Sequence, residues 1–512
     1  MRLAKTIQPL CRLWRSGKWR AFLLGGVVVV AGCGQKTVTP IAPTPLAGNA
    51  LPLSATTRVA REAHSWILKL FGRYPDEVVN GYVQRIGEQI VAAGGYDELL
   101  VRCVVLDQPE VFSFVLPGFV YVSRGLLLLL RDENELAALL AHEIGHILLT
   151  PPQKQNGESP SPGIRHALFA RPLLRSAITD KAVQRAVARL SELLARGYTA
   201  DEEARVDDLA IGMLAQAGYD PRAMLGLQQV VIAQRQAVAS DKAGVRDLYS
   251  PHYRGIGDKV YETPLARRLK KFDPLRIVQT DRLPGERFFT VIDGMVYGDN
   301  PALGVRTGRQ YTDIETGFVV RFPEDWRIIN GNDYVTAIAP GNHALMELQV
   351  AELGEDHGFT PKTYLERVIP MSGRRTGGLL SPNGFNGYTS VGEMDTLFGR
   401  KPVRVTVVFL QDNAVVLLGT ARSVDTFEQL DIFFLEASAS LRPVSQVDRQ
   451  LAAKLVVKVI RVGSELRWGD LIAQSPLVIG PETQLRLLNR LYPNGELQTG
   501  RPLKLVQRGK KD

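Results

Sequence analysis

The chain has 512 residues, enough for roughly two to four domains that each bury a core without disulfides or metal staples. Hydrophobic residues make up 45% and charged residues 22%, which excludes wholesale disorder and a polytopic membrane protein. The formal charge of +9 owes much to residues 1–32, which hold six basic side chains and no acid; the remainder carries about +3 and offers no case for nucleic-acid binding.

Arg2, Lys5, Arg12, Arg15, Lys18 and Arg20 precede an apolar run from Ala21 to Ala31, shorter than the roughly 20 residues that span a bilayer. The run ends in Val30-Ala31-Gly32-Cys33, and small residues directly before a cysteine resemble the lipobox of bacterial lipoproteins. The resemblance implies that residues 1–32 are a lipoprotein signal peptide, that Cys33 is lipidated, and that the mature chain is held to a membrane by this anchor. Gly34, where sorted lipoproteins of the inner membrane carry Asp, favours the outer membrane. Residues 33–55, rich in Pro, Thr and Ala without periodicity, read as an extended tether. With Cys11 removed and Cys33 acylated, Cys103 has no disulfide partner and reads as a buried small hydrophobe.

Residues 56–262 are patterned mainly for helices. The spacing predicts a helix through Ile67, a second from Pro75 to Gly94, and strands over Leu99–Leu106 and Val111–Ser123, the latter turning at Pro117-Gly118. Asp132 and Glu135 open a further helix as a capping box, and Leu136, Leu139, Leu140, Ile144 and Ile147 bury it. Within it lies His142-Glu143-Ile144-Gly145-His146. A spacing of four places both imidazoles on one face, a turn apart, where two nitrogens reach one ion about 2.0 to 2.1 Å away. Glu143 can hold a water at that ion and take its proton without being a ligand. In a chain with seven histidines the motif arises by chance roughly once in two hundred such sequences, so a second feature is needed. A helix from Thr199 to Gly218 supplies it: Thr199 caps, Glu202 closes the box, and Gly218 then Pro221 end it. Glu203 and Asp207 share a face, so Glu203 can be the third zinc ligand while Asp207 accepts the free ring N–H of a ligating histidine. Glu202 is the rival ligand, about a hundred degrees round the helix and better used at the cap.

Residues 263–310 show little periodicity and read as an interdomain connection. Strands are expected at Gly317–Phe322, Val335–Ala339, Leu345–Val350, Val403–Phe409 and Ala414–Ala421, with helices near Lys362–Val368 and Glu428–Glu436 and a turn at Gln411-Asp412-Asn413. Residues 311–442 are thus an antiparallel α+β module. Gly317-Phe318, Phe322-Pro323 and Trp326 resemble small modules of the photosystem PsbP type, which implies no chemistry. Residues 450–508 carry Leu455–Val462, Leu471-Ile472-Ala473, Leu485–Leu491, then Leu503 and Leu505. This strand, helix, helix, strand order is similar to a lysin-motif module and implies cell-wall glycan as a partner, although Ser464-Glu465 stand where that family often has Asp-Thr.

The order of parts over about residues 65–260 resembles the zinc metallopeptidase family that includes the CAAX prenyl protease and the bacterial β-barrel assembly-enhancing protease. The matching residues are Phe71-Gly72-Arg73-Tyr74, Tyr82 to Gly87, the Phe114 to Gly118 turn, Gly125-Leu126, the His142 to His146 motif, and Tyr198 through Glu203, Asp207 and Gly218 to Pro221. Counting back from Gly218 selects Glu203 over Glu202. Departures lie on the substrate side: Phe112-Ser113-Phe114 replaces the family's Asn-Ala-Phe, one glycine of the Pro-Gly-Gly turn is missing, and Pro151-Pro152 precede an insert with Gly157, Pro160 and Pro162. The resemblance implies a mainly helical, zincin-type domain with one Zn2+ on His142, His146 and Glu203, Glu143 as the catalytic base and Asp207 behind the ligands. It places His252 where related proteins close a histidine over the metal, gating the site or assisting catalysis. It also implies a substrate strand laid against the edge near Val111–Val115. The whole is then an α+β multidomain, lipid-anchored zinc endopeptidase on the periplasmic side, acting on misfolded or unassembled cell-envelope polypeptides. The rival, from another class, is a lipoprotein that binds cell-wall glycan or an assembly machine through residues 311–508, with peptidase activity latent.

Overall fold

A cap and a helical apolar stripe explain the first long elements. A computed structural model describes residues 53–149, 197–240, 252, 259–260, 263–278, 286–332, 334–353, 358–373, 377–396 and 398–510; Cys33, the leader, the tether and the insert after Pro151-Pro152 lie outside them. α1 (Leu53–Phe71) is followed by α2 (Glu77–Ala93), where Asp76 accepts from the amides of Val78 and Val79 and Val79, Val83, Ile86 and Ile90 turn to the core. Among the described residues no helix is long and apolar enough to cross a membrane.

The Val111–Ser123 run turns at Pro117-Gly118 as expected, so three strands follow. β1 (Arg102–Leu106) pairs parallel with β3 (Phe119–Ser123), and β2 (Ser113–Leu116) pairs antiparallel with β3, leaving β2 at one edge. Gly118, at φ 82°, makes the turn between β2 and β3 in a conformation that favours glycine. Cys103 is buried in β1, and burial pushes its thiol up to about 12. α3 (Arg124–Leu129) follows β3 directly; a Cβ on its Gly125 would stand 2.1 Å from the Pro109 carbonyl oxygen, so only glycine lets the loop before β2 close on it.

α4 (Glu133–Leu149) is buried nearly all round and packs against α5 (Ala200–Gln216) and α6 (Met224–Ser240). Its capping box is half formed: Asp132 accepts the Glu135 amide at 3.1 Å, but the Glu135 carboxylate accepts from the Arg131 amide at 2.7 Å instead of returning to the cap. The stretch 263–310 is not featureless. α7 (Pro264–Lys270) and α8 (Glu286–Ile292) bury Leu265, Leu269, Phe288 and Ile292 in the core of α2 and α4. Helices of seven residues are too short to show in a window of about 11 to 18.

Antiparallel structure follows. β4 (Val305–Thr307), β5 (Gln310–Asp313) and β6 (Phe318–Arg321) join β14 (Arg442–Pro443) in one sheet, order β14-β6-β5-β4. The larger sheet has the order β10-β11-β12-β13-β9-β8-β7, from β7 (Arg327–Asn330), β8 (Val335–Ile338), β9 (Ala344–Glu352), β10 (Gly378–Leu380), β11 (Asn386–Thr396), β12 (Gly399–Leu410) and β13 (Asn413–Ala421). α9 (Pro361–Val368) covers the face of Ala414, Val416 and Leu418, and α10 (Val424–Ala439) covers that of Val415 and Leu417. Both faces of β13 are therefore buried, which explains its unbroken apolar run. A short α11 (Gln446–Leu451) leads to β15 (Leu455–Arg461), α12 (Trp468–Gln474), α13 (Pro481–Leu488) and β16 (Pro502–Arg508), with β15 and β16 antiparallel. Val457, Leu485, Leu488 and Leu503 of this last module share one core with α2, α4 and α6.

Candidate metal centre

Helical spacing on α4 sets His142 and His146 side by side, α5 brings Glu203 to them, and His252 joins from the far side. One nitrogen or oxygen from each of the four lies within 4.8 Å of the others, and all four residues are buried. His142 Nε2 stands 3.2 Å from His146 Nε2, 3.2 Å from His252 Nδ1 and 3.3 Å from Glu203 Oε2; His252 Nδ1 is 3.3 Å from Glu203 Oε1. Ligands about 2.0 to 2.1 Å from a tetrahedral ion are about 3.3 Å from one another, so these edges suit zinc. The donor chemistry suits it too. Neither buried Glu203 oxygen makes a hydrogen bond of good geometry among the described residues, and three ring nitrogens facing one point cannot all be satisfied by hydrogens.

Asp207, one turn after Glu203, lies 3.2 Å from His142 Nδ1, which turns Nε2 toward the cluster. Arg268 of α7 ties the other Asp207 oxygen at 2.8 Å and reaches Asp208 at 3.0 Å. No sequence signal singles out Arg268, because it sits in a helix too short to show periodicity. Tyr198 stacks on His146, ring centroids 3.6 Å apart. Glu202 is spent at the helix start, where its carboxylate accepts the Thr199 amide at 2.7 Å and its amide donates to Thr199 Oγ1 at 3.2 Å. Glu143, 0% exposed, places Oε1 2.9 Å from His252 Nε2, so one imidazole touches both the cluster and this carboxylate.

Burial alone would lower the His142 imidazole, but Asp207 and Glu203 outweigh it and lift it to about 10. His252 likewise is pulled down by burial and lifted to about 9 by Glu143 and Glu203. Burial would raise Glu203, yet His142 and His252 hold it well below the usual carboxylate range. His146, buried beside two charged rings, is held well below its ordinary value and stays a neutral donor.

Two histidines a turn apart, a carboxylate from a second helix and a buried glutamate beside them define a HExxH-type metal centre. Residues 77–254 match the profile of peptidase family M48. The chain is 26% identical over 206 residues to the mitochondrial metalloendopeptidase OMA1 of Schizosaccharomyces pombe, covering 38% of this chain and 58% of that protein. It is 28% identical over 154 residues to a Vibrio cholerae protein named as a beta-barrel assembly-enhancing protease, covering 29% of this chain and 32% of that protein. The chain thus spans less than two thirds of either relative. Among solved structures, cyanobacterial PsbP (CyanoP) from Synechocystis sp. PCC 6803 is matched at 12% identity over 29% of this chain and 98% of that one, with a TM-score of 0.21.

Proposed function

We propose that the chain is a zinc-dependent endopeptidase of the cell envelope, holding one zinc ion with His142, His146 and Glu203. The observation that carries this reading is the set of buried donors 3.2 to 3.3 Å apart beside a buried glutamate. When bound, zinc supplies polarisation of the scissile carbonyl and makes a water more acidic. Glu143 takes a proton from the attacking water and passes it to the leaving amine. Asp207, steadied by Arg268, keeps the Nδ1 hydrogen of His142 directed away from the cluster. His252, 2.9 Å from Glu143 and 3.3 Å from Glu203, has one of two roles, a gate that swings away before turnover or a group that assists catalysis.

The substrate is an extended polypeptide that adds to the edge strand β2, with an apolar side chain in a cavity lined by Val111, Leu139 and Val230. The likeness to a beta-barrel assembly-enhancing protease, together with the lipobox at Cys33, supports misfolded or unassembled envelope proteins as the class, met on the periplasmic side of the outer membrane. The strand, helix, helix, strand order of residues 450–508 supports cell-wall glycan as a further partner of a lysin-motif-like module. The test of the ligand set is zinc content in two variants: Glu203→Gln is expected to lose zinc and Glu202→Gln to keep it, and the opposite pattern would reassign the ligand. Zinc bound by the full chain without cleavage of casein would instead favour a binding lipoprotein with latent peptidase activity.

A further inference from the structure

A second cavity lies next to the one at the metal cluster. The first, about 30 Å³, runs between Val111–Ser113 and the Leu227, Val230 and Val231 face of α6. The second, about 40 Å³, shares Val111 with it and is bounded by Gln234 of the same helix and by Gln484 and Leu487 of α13. A water needs roughly 10 to 15 Å³ of such space, so each cavity suits a short side chain and not a cofactor. Both cavities touch Val111, one reaching toward Pro109 and the other toward Ser113, and alternate side chains on one face of a strand are separated by about 6.6 Å. A strand lying along β2 can therefore seat one residue in the first cavity and the next but one in the second.

Arg124 lines the second cavity and is 0% exposed. Its Nε donates to Asp107 at 2.8 Å and its Nη1 to the carbonyls of Val296 and Gly298 at 2.6 and 2.9 Å, while Nη2 has no acceptor among the described residues. A buried donor left unmet is costly, and a ligand acceptor would relieve it. Asp107 already balances the guanidinium, so an incoming carboxylate would find no net positive charge in a largely apolar pocket. A neutral acceptor fits; Gln484, which borders the same space, already accepts from the Tyr297 hydroxyl at 3.0 Å and donates to the Ile479 carbonyl at 2.6 Å, so it walls the cavity and leaves Arg124 Nη2 as the group a ligand would meet. Resting on the endopeptidase reading, we propose that this second cavity is a specificity site. It takes the side-chain amide of a substrate Gln or Asn two residues from the apolar residue at the metal, and α13 supplies its outer wall.

The test uses the full chain carrying Glu143→Gln, so that bound peptide is not cut, and fluorescein-labelled peptides that pair a Leu with Gln, Leu or Glu two residues away on either side. Anisotropy is expected to show the Gln peptide binding about tenfold tighter than its Leu and Glu counterparts in one of the two orders. Leu487→Phe, which fills the second cavity from α13, is expected to erase that preference and keep the need for the first Leu. Should Leu487→Phe fail to fold, Gln484→Ala repeats the comparison at a partly exposed position. Equal affinity for Gln and Leu, tighter binding of Glu, a preference that survives the filled cavity, or no peptide binding would each overturn the proposal. Wild-type protein on the same peptides separates the two readings: a Gln preference without cleavage keeps the cavity and sinks the peptidase.

Discussion

His252 uses its two ring nitrogens on different neighbours, Nδ1 toward His142 and Glu203 and Nε2 toward Glu143. A fourth protein ligand makes a catalytic zinc site resemble a closed structural one. His252→Ala is therefore expected to keep zinc on three ligands and raise basal casein cleavage; wild-type rates with unchanged zinc affinity would make the histidine a bystander. Charge at the same residues gives a second expectation. In chelated protein His142 and His252 are lifted to about 10 and about 9 from an ordinary 6.5. Folded values above unfolded ones mean that their stabilisation is complete below about 6.5 and is lost as pH rises through about 9 to 10. The chelated protein should melt at a lower temperature at pH 9.5 than at pH 7, and a higher one would contradict the charge assignment. The His142 to His146 spacing and the acid pair Glu203 and Asp207 were legible because they are local, set by one or two helical turns. Arg268 was not, because what identifies it is Asp207, 61 residues away.

At the scale of elements, long patterned runs were legible and short or glycine-broken ones were not. β13, α4 and α10 show in the sequence, whereas β11 contains Gly387 and Gly392, which read as breaks. Gly392 is there for a close approach: a Cβ would stand 2.5 Å from Met371. The start of α4 shows how elements far apart are tied. Glu135, buried in its first turn, lies 3.2 Å from Arg490, whose Nη2 also donates to Gly226 O and Gln229 Oε1, each at 2.7 Å. Gly226 is pressed onto that carboxylate, with a would-be Cβ 2.1 Å from Glu135 Oε1. Breaking a buried pair from one side costs roughly 3 to 5 kcal/mol. Arg490→Met is expected to lower stability by about that amount in denaturant titration. A change within about 0.5 kcal/mol would show that the last module is not anchored through Glu135.

At the scale of the molecule, the order of strands and helices in residues 455–508 could be read from the sequence, but not where the module docks. Docking is carried partly by Arg490 and by Lys504, whose Nζ donates to Leu128 O and Leu130 O at 2.6 and 2.8 Å, and charged residues are ordinarily read as surface. The α4 that receives Arg490 at Glu135 in its first turn also carries His142, Glu143 and His146, so the last module and the metal centre contact one helix. In the proposed function this helix holds a working zinc peptidase. Its most direct test compares zinc content and casein cleavage in wild-type protein and in Glu143→Gln. A single zinc per chain is expected in both, with cleavage lost only in the variant, because the base is removed while the ligands stay. Turnover near wild type in Glu143→Gln, or no zinc in either protein, would contradict it.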